Sequence, residues 1–482
     1  MSRQRPTEQI NAALASVIGR PRNVLDVGCG AAVHGMVARR TGAHVTGLEK
    51  DPELAERAKR VLDRVFCLDP SDSVAVAGAL GEARFDLILV AGMLERSESP
   101  GELLRSFGEY LEPEGRLVWS VRNREAWTVR LGLQHPELGY DRGATTHMYS
   151  RRETTDFVRH SGLELLSVEQ NPMLLKALRA ALGEQFYLSL KHDEELGTGF
   201  RDLSAYQMYL ELIRPAEVAL AQLSPELLAF QNVVVARRPP VPGPLSLTVG
   251  MLTMDEEPSV ERMIEGIRQS APDAAIVCVD SSVKDQTPVI AERMGARVVR
   301  QLPPRGHGPA MERLMYEAAA QSEALIYLDC DFTYPLEMIG TIRRILESGA
   351  DVVNAARIRS RPAAMPVSNY IANKAFVWCA RLLDGVPISD LHSGMRGYRS
   401  SVIRSFSFDG EGDALPIDTL LWPARSGYRV IEIPIDYQER VGASKLRKLA
   451  GTFWTFIRLG KSVNVGTRRA DTYERWESPE GP

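Results

Sequence analysis

Cysteine is scarce in this sequence, and its few copies are scattered. Cys29, Cys67, Cys278, Cys330 and Cys379 are the only five among 482 residues, and no two of them form a CxxC pair. This spacing argues against a disulfide framework and against a cysteine-ligated zinc site. It favours reduced thiols in a cytosolic compartment.

Long apolar runs and an excess of positive charge are missing as well. No stretch approaches the ~20 apolar residues that span a bilayer, and residues 1–19 lack the uninterrupted apolar core of a signal peptide. The formal net charge of −4 argues against a nucleic-acid binder that depends on bulk positive charge. We therefore expect a soluble, cytoplasmic protein that is at most attached to the inner face of a membrane.

What the sequence does contain is a proline-rich seam between two α/β halves. Residues 236–246, ARRPPVPGPLS, carry four prolines and a glycine, which interrupt helices and central strands. On both sides, short β-branched runs alternate with helical patterns, as in parallel α/β sheets. We predict a first domain at 1–239, a linker at 240–246, a second domain at 247–466 and a loose polar tail at 467–482.

The first domain begins with a strand, a glycine turn, a helix and a second strand. The strand NVLDV precedes GCGAAV, in which Gly28 and Gly30 permit a tight turn and the close approach of a ligand. Glu49 ends the second strand about 20 residues later, where an acid can accept hydrogen bonds from ribose hydroxyls. The alternative is a packing turn without a ligand, because the loop lacks the GxGxxG of dinucleotide folds.

The order of LDVGCG, GLEKDPE and FDLILVAGMLERSESPGELLRSFGEYLEPEGRLVWSVRN resembles class I S-adenosylmethionine-dependent methyltransferases, with a Rossmann-like fold. The resemblance covers about residues 23–238. It implies that Asp26, Gly28 and Gly30 border the methionine part of the cofactor, that Glu49 holds the ribose and that Asp69 lies near the adenine.

Two positions bear on methyl transfer. In MLER, Arg96 stands where many relatives of this family carry a histidine, which weakens the case for a catalytic group there. A hydroxyl acceptor would require a general base, and His147 in GATTHMYSRRE is our candidate, with a structural role as the alternative. A domain that binds the cofactor without turnover also stays open.

The second domain contains LIYLDCDFTYP, in which an apolar strand ends in Asp329 and Asp331. Side chains two positions apart in a strand share a face, so we expect the two carboxylates to lie close together. Their repulsion is relieved by a hard divalent cation with oxygen ligands, Mn²⁺ or Mg²⁺. The alternative is a solvated strand end that caps the next helix.

Acids also follow two other strands of this domain, at Glu256 and Asp280, and the intervening loop carries Arg305 with Gly306 and Gly308. Carboxylates for a metal, with arginine and backbone for phosphate, suit a metal-bound nucleotide diphosphate. The apolar positions 260, 263, 264 and 267 predict that a helix follows the first of these strands.

The segments LTMDEE, VDSSVKDQT, RGHGPAM, DCDFTYP, ISDLHSGMRGYR and ERVGASKL together resemble family 2 glycosyltransferases of the GT-A fold, especially polyprenyl- or dolichyl-phosphate sugar synthases. By this resemblance, Asp329 and Asp331 bind metal and diphosphate. The remaining implied nucleotide-sugar, acceptor or phosphate contacts are Thr253, Glu256, Asp280, Asp285, Arg305, Arg396, Arg440, Ser444 and Lys445. The chain has DSSV and DCDFTYP in place of the commoner DDGS and DADGQHP, so the preferred base is not predicted.

The sugar acceptor decides whether the enzyme requires a base. A lipid phosphate is already largely ionised near neutrality, with a second pKa of roughly 6, whereas an alcohol requires a base. Asp418 and Asp390 are our candidates; the alternatives are a helix N-cap for Asp418 and loop orientation for Asp390.

The segment SKLRKLAGTFWTFIRLGK predicts a basic amphipathic helix. Packing of its apolar side on its own domain is the favoured interpretation, and contact with an anionic membrane surface is the alternative.

We interpret the chain as a bifunctional enzyme, a methyltransferase fused to a glycosyltransferase that uses a nucleotide-sugar donor. The acceptor would be a polyprenyl phosphate, a glycan or a small molecule, and no nucleic-acid partner is expected. The alternatives are a glycosyltransferase with a non-catalytic S-adenosylmethionine-binding module and a GT-A-like nucleotidyltransferase.

Overall fold

The structure is a computed structural model that describes residues 11–130, 147–172, 214–358, 362–363, 365–412, 414–439, 448–463, 465 and 472–475. The chain divides into two compact units, Met1–Pro239 and Pro240–Pro482. Each unit contains one mixed sheet with helices, so the predicted α/β class with two Rossmann-like domains is confirmed. Among the described helices, none combines the length and the apolarity needed to cross a membrane.

In the described part of the first unit, seven strands form a sheet in the order β3-β2-β1-β4-β5-β7-β6. The strands from β3 to β5 are parallel, and β7 runs antiparallel to both β5 and β6. Their bounds are β1 Asn23–Val27, β2 His44–Glu49, β3 Arg64–Cys67, β4 Phe85–Ala91, β5 Leu111–Arg122, β6 Glu164–Pro172 and β7 Ala229–Arg237.

Four of the described helices of this unit begin at a side-chain N-cap. The Asp51 carboxylate accepts from the N–H groups of Glu53 and Leu54, and Ser150 with Glu153 forms a capping box. The described helices are α1 Ala12–Ser16, α2 Val33–Arg40, α3 Pro52–Ala58, α4 Ser73–Leu80, α5 Pro100–Gly108, α6 Trp127–Arg130, α7 Arg151–Ser161, α8 Arg214–Ala221 and α9 Pro225–Leu228, with a 3₁₀ turn at Leu94–Arg96.

In the second unit, the eight described strands follow the order β10-β9-β8-β11-β13-β12-β14-β15. All neighbours are parallel except β13, which is antiparallel to β11 and β12. The bounds are β8 Leu247–Thr253, β9 Ala275–Asp280, β10 Arg297–Arg300, β11 Ala324–Asp329, β12 Val352–Ala356, β13 Met395–Arg399, β14 Val430–Pro434 and β15 Tyr473–Arg475.

The helix predicted after β8 is present, and it buries Val260, Met263, Ile264 and Ile267 as the spacing predicts. The described helices of this unit are α10 Glu257–Ser270, α11 Thr287–Arg293, α12 His307–Gln321, α13 Met338–Glu347, α14 Val367–Asp384, α15 Ser400–Arg404, α16 Leu415–Arg425 and α17 Lys448–Ser462. The core between the sheet and these helices includes Val249, Ile326 and Ile342.

The expectation of a loose polar tail is wrong at Tyr473–Arg475. These residues form β15, which extends the sheet beside β14. The Tyr473 hydroxyl donates to the buried Glu432 carboxylate at 2.6 Å, and this bond gives a polar segment a fixed place.

Candidate active sites

In the first unit, the predicted cofactor residues follow three neighbouring parallel strands. Gly28 and Gly30 follow β1, Glu49 ends β2, and Asp69 lies two residues beyond β3. The carboxyl ends of parallel strands share one edge of a sheet, which is where open α/β sheets bind ligands. The topology thus brings these four residues to one carboxyl edge.

Glu49 fixes the shape of the loops at this edge. Its Oε2 accepts from Gly30 N at 2.8 Å, and its Oε1 accepts from Asp51 N at 2.8 Å. Only 7% of Glu49 is exposed. The carboxylate therefore joins the loop after β1 to the loop after β2, and each oxygen retains a lone pair for a further donor.

Asp26 fixes the start of α2, and Gly28 occupies a position where a side chain would not fit. Asp26 is 1% exposed, and its Oδ2 accepts from Gly35 N in the first turns of α2 at 2.9 Å. Gly28 has a φ of +65°, and a Cβ there would lie 2.6 Å from Met93 Sδ. A side chain at Gly28 would thus be strained by conformation and by contact.

Asp69 lies on the surface, and its carboxylate is ordered by the next turn. Its Oδ1 accepts from both the hydroxyl and the N–H of Ser71. These bonds, the hydroxyl first, lower the pKa of Asp69. The residue is therefore a carboxylate at neutral pH, as an acceptor for an amine would have to be.

Sequence analysis missed Glu95, which lies in the 3₁₀ turn after β4. Glu95 is 1% exposed; its Oε1 accepts from Arg122 N at 3.0 Å, and its Oε2 is buried without a hydrogen-bond partner in the described structure. Burial raises the pKa of Glu95, although the Arg122 bond opposes the shift.

His147, the predicted base, is held beside Glu95. His147 N donates to Glu95 O at 2.8 Å, and the Tyr149 hydroxyl donates to Leu94 O at 3.2 Å. The His147 side chain is exposed. The segment 147–149 is thus bound to the turn that follows β4, and a catalytic role for His147 stays a prediction.

In the second unit, the carboxyl ends of three neighbouring strands, β9, β8 and β11, lie at one edge of the sheet. Thr253 at the end of β8 pairs in register with Asp280 of β9, and Asp329 of β11 pairs with Leu252 of β8. Since β8 lies between β9 and β11, Thr253, Asp280 and Asp329 lie at the ends of adjacent strands at this edge.

Asp280 is more enclosed than a nucleoside contact would suggest. It is fully buried, its Oδ2 accepts from the hydroxyls of Thr253 and Ser282 at 2.7 Å each, and its Oδ1 pairs with Arg300. Thr253 and Asp280 thus hold the loop after β9. Their contact with a nucleoside stays a prediction, and Arg300 is a partner that sequence analysis missed.

The loops after β8 and β9 are joined by Asp285. Its Oδ2 accepts from Glu257 N at 3.0 Å, and its Oδ1 accepts from the Thr287 hydroxyl at 2.7 Å. Glu256 N donates to the same Thr287 oxygen at 2.8 Å. Glu256 and Asp285 therefore lie together at the carboxyl edge, and their contact with a nucleoside stays a prediction.

Asp329 and Asp331 differ in their surroundings. The strand ends at Asp329, so the expectation of one continuous strand face through Asp331 is wrong. Asp329 is partly exposed, whereas Asp331 is 2% exposed and accepts at Oδ1 from the N–H and hydroxyl of Thr333 at 3.1 and 2.5 Å. Neither aspartate caps α13, whose N-cap is Glu337.

The absence of a side chain at Gly394 makes room for the Asp329 carboxylate. A Cβ on Gly394 would overlap Asp329 Oδ2 and lie 2.9 Å from the Tyr334 hydroxyl, and Gly394 N donates to that hydroxyl at 2.5 Å. Carboxylate oxygens such as those of Asp329 and Asp331 are the kind of ligand that Mn²⁺ or Mg²⁺ takes. Within the described residues, no group of three or more His, Cys, Asp or Glu is arranged to hold a metal ion.

The loop before α12 presents a helix N-terminus to the same edge, because it follows the carboxyl end of β10. Arg305 is exposed, and Gly306 has a φ of +100°. Gly308 has another task, since its N–H donates to Gly412 O at 3.1 Å. A Cβ on Gly412 would overlap the indole of Trp454 in α17. Gly412 thus lies between the backbone of α12 and the Trp454 side chain of α17.

Asp390, a predicted base, is paired with an arginine that sequence analysis missed. The Arg357 Nε donates to Oδ2 at 2.8 Å and a terminal nitrogen donates to Oδ1 at 2.9 Å. Burial alone would raise the pKa of Asp390, but the Arg357 guanidinium outweighs it and lowers that pKa. This geometry fits the alternative role, orientation of the loop that carries Gly394, better than that of a base.

Asp418 lies inside α16, whose N-cap is Ala414, so the N-cap alternative is wrong. It is fully buried; its Oδ2 pairs with Arg458, and its Oδ1 is buried without a hydrogen-bond partner in the described structure. Burial raises the pKa of Asp418 to about 7, although Arg458 opposes the shift.

Arg396 does not reach toward a phosphate, which corrects the expectation for SGMRGYR. It is fully buried, because β13 lies between two strands, and it donates to Asn354 Oδ1 and Leu391 O at 2.8 Å each and to Pro416 O. The predicted contacts Arg440, Ser444 and Lys445 lie outside the described residues.

The C-terminal helix does not bury its whole apolar side, contrary to the favoured interpretation. Thr455 and Arg458 face inward at 1% exposure, while Phe453 and Phe456 are 62% and 54% exposed. The inward face thus combines Leu459, also 1% exposed, with these two polar residues, and two aromatic rings are left outside.

Comparison with known proteins assigns a different family to each of the two units. Residues 2–168 match the family described as "Methyltransferase domain", and residues 248–406 match "Glycosyl transferase family 2". The chain belongs to the family 2 glycosyltransferases, with a methyltransferase domain fused in front. It is therefore an enzyme of the transferase class.

Three curated relatives illustrate the two halves. The dolichyl-phosphate hexose transferase of Haloferax volcanii is 37% identical over 218 residues, which are 45% of this chain and 92% of that protein. The polyprenol monophosphomannose synthase of Mycolicibacterium smegmatis is 26% identical over 40% of this chain and 78% of that protein. The ubiquinone biosynthesis O-methyltransferase of Xylella fastidiosa is 30% identical over 34% of this chain and 72% of that protein.

Proposed function

We propose that the second unit transfers a sugar from a nucleotide-diphosphate sugar to a polyprenyl phosphate, and that the first unit carries out S-adenosylmethionine-dependent methylation. In the transfer, an acceptor phosphate oxygen bonds to the anomeric carbon. The bond from that carbon to the donor diphosphate breaks, and the nucleoside diphosphate leaves with the electron pair.

The observation that carries the sugar transfer is the Asp329 carboxylate beside Gly394, at an edge that also holds Glu256 and Asp285. The similarity to a dolichyl-phosphate hexose transferase over 92% of its length supports the lipid-phosphate acceptor. The N-terminus of α12 and the exposed Arg305 offer positive potential for the donor diphosphate.

The states of the predicted bases also favour a phosphate acceptor. The negative charge of Asp390 is paired with the Arg357 guanidinium, and Asp418 is fully buried beside Arg458. Both carboxylates are fully buried, so an acceptor hydroxyl could not reach them without a rearrangement. An ionised phosphate requires no base, so the buried carboxylates are compatible with lipid-phosphate chemistry and disfavour an alcohol acceptor.

Asp329 and Asp331 would hold a divalent cation, which when bound supplies a Lewis acid for the leaving diphosphate. The protein's own contribution is to fix the ligands: Thr333 orients Asp331, and Gly394 leaves space for Asp329. A cation would also relieve the repulsion between the two acids.

In the first unit, Glu49 would hold the cofactor ribose, and Asp69 would lie near the adenine. The loop with positive φ at Gly28 and Gly30 leaves room for the methionine part. Peripheral contact with the inner face of a membrane follows from a polyprenyl-phosphate acceptor, because that lipid resides in the bilayer.

The test incubates the full chain with labelled UDP-, GDP- or dTDP-sugars and detergent-dispersed polyprenyl phosphate, with Mn²⁺, Mg²⁺ or EDTA. We expect label in the organic phase, and we expect EDTA to abolish it. The Asp331→Ala variant should transfer about 100-fold less sugar or lower still, because it loses a ligand for the cation that stabilises the leaving diphosphate; each tenfold loss corresponds to about 1.36 kcal/mol of barrier. Glu265→Ala, an exposed acid on α10, is the matched control.

Label that appears only in water-soluble product contradicts the lipid acceptor. Formation of nucleotide sugar from sugar phosphate and NTP would favour a nucleotidyltransferase instead. Calorimetric titration with S-adenosylmethionine, followed by a methyl-release assay, separates an active first unit from a binding module.

A further inference from the structure

Helix α14 exposes an apolar stripe to the surface of the second unit. Val367, Ile371 and Trp378 are 49%, 61% and 65% exposed, and their spacing of four and seven residues puts them on one helix face. The opposite face packs inward with Val377 and Ala380. A helix on a water-exposed surface would normally have polar residues on its outer face.

Helix α17 continues this stripe. Its exposed Phe453 and Phe456 lie one turn apart, and Phe456 packs edge-on against Phe376 of α14 at 5.5 Å between ring centroids. We call the set Val367, Ile371, Trp378, Phe453 and Phe456 the α14–α17 surface. Clusters of exposed large apolar side chains mark sites of contact with proteins or membranes.

The exposed charged side chains of the two helices themselves are basic. The sequence of α17 contains no Asp or Glu, and the only acid of α14, Asp384, is fully buried. Lys374 and Arg381 donate to the carbonyls of Ile358 and Ile388, and these neutral partners leave the positive charges in place. Lys461 lies at the end of α17, 3.2 Å from Asp409.

The α14–α17 surface is connected to the candidate sugar-transfer site. Phe376, which contacts Phe456, lies 5.4 Å from the ring of His392, and His392 Nε2 bonds to Thr455 of α17 at 3.1 Å. His392 precedes Gly394, the glycine beside Asp329, by two residues. An acceptor that emerges at this surface would therefore find its phosphate close to the reactive edge.

We propose that the α14–α17 surface docks the second unit on an anionic lipid bilayer and thereby presents the phosphate of a membrane-embedded acceptor to Asp329. The apolar side chains would insert among the acyl chains, while Lys374 and Arg381 would meet lipid phosphates. This inference rests on the proposed lipid-phosphate acceptor and adds the surface that reaches it.

The test measures flotation of the full chain with phosphatidylcholine vesicles that contain 30% or no phosphatidylglycerol. We expect binding to the anionic vesicles, at least tenfold weaker binding for Trp378→Ser combined with Phe453→Ser, and less binding at high salt. Val289→Ser, which removes an exposed valine of α11 (57% exposed), should bind like the parent chain. Thermal melting checks that the variants are folded.

A second arm separates this inference from the proposed function. The double variant should keep transfer to detergent-dispersed polyprenyl phosphate and lose most transfer to acceptor in vesicles. Equal flotation of parent and variant overturns the docking surface even if transfer to lipid occurs. Flotation without any sugar transfer overturns the proposed function alone. A parent chain that dimerises and a variant that is monomeric would assign the surface to a second copy and overturn membrane docking.

Discussion

The two units place acids at the carboxyl edges of similar sheets but stabilise them by different partners. In the first unit, Asp26 accepts a hydrogen bond from a main-chain N–H group of α2, and Glu49 accepts from main-chain N–H groups of two loops. In the second unit, Asp280, Asp390 and Asp418 each pair with an arginine.

The difference shows how each unit sustains buried charge. Main-chain dipoles fix loop shape around carboxylates that stay close to a ligand edge. Arginine partners permit complete burial, since an opposite charge offsets the loss of water. In the second unit, Asp331 is instead held by the Thr333 hydroxyl, and the partly exposed Asp329 lies beside Gly394.

The largest expected effect comes from removal of an arginine partner. Arg357→Met leaves the fully buried Asp390 without its ion pair, so we expect the second unit to lose about 3–5 kcal/mol of stability. Chemical denaturation measures the loss. Arg357→Met combined with Asp390→Asn should recover part of it; no recovery would mean that Arg357 acts through packing alone.

Gly394→Ala should have the next largest effect. The new Cβ would overlap Asp329 Oδ2, which costs about 1–3 kcal/mol as an overpacked site and displaces the carboxylate. We expect sugar transfer to fall more than stability does. Gly340→Ala, where a Cβ meets nothing within 4 Å, is the control, and equal activity of the two variants would contradict a role for the close fit.

In the first unit, Glu49→Gln tests stabilisation by main-chain N–H groups. The glutamine side chain has one acceptor oxygen where Glu49 has two, so the N–H of Gly30 or of Asp51 loses its acceptor. This loss should cost about 1–3 kcal/mol of stability. We expect binding of S-adenosylmethionine to weaken about 10- to 100-fold by calorimetry. Glu53→Gln on α3 is the control; unchanged affinity in Glu49→Gln would show that the loop does not depend on the charge.

The smallest expected effect is a pH dependence at Asp418. Its pKa is about 7 in the folded protein and about 4 in the unfolded chain. Between these values the folded state holds a proton that the unfolded chain releases, so the free energy of unfolding falls as pH rises. Denaturation at several pH values should show a shallower fall for Asp418→Asn; an identical slope would place the titration elsewhere.

The fold and the acidic strand ends follow from the sequence because their signals are local. Apolar spacing predicted α10, and each strand-terminal acid directly follows its β-branched run. The arginine partners could not be predicted in this way. Arg300, Arg357 and Arg458 lie 20, 33 and 40 residues from their carboxylates, and only the packed fold brings them together.

Two errors have the same physical origin. Arg396 was expected near a phosphate, but the antiparallel insertion of β13 between β11 and β12 encloses it, and strand order is not visible in a motif. The C-terminal helix was expected to bury its apolar side, but Thr455 and Arg458 bond inward instead. In both cases tertiary hydrogen bonds decide which face is inside.

The contact of Gly412 with both Gly308 and Trp454 has a mechanical consequence. Rotamer changes cannot absorb a displacement at the two glycines, because they have no side chains. A tilt of α17 would therefore be passed to the first turn of α12, where the donor diphosphate is proposed to bind. Binding of lipid at α17 would then change the affinity for the donor, and binding of the donor would change the affinity for lipid by the same factor.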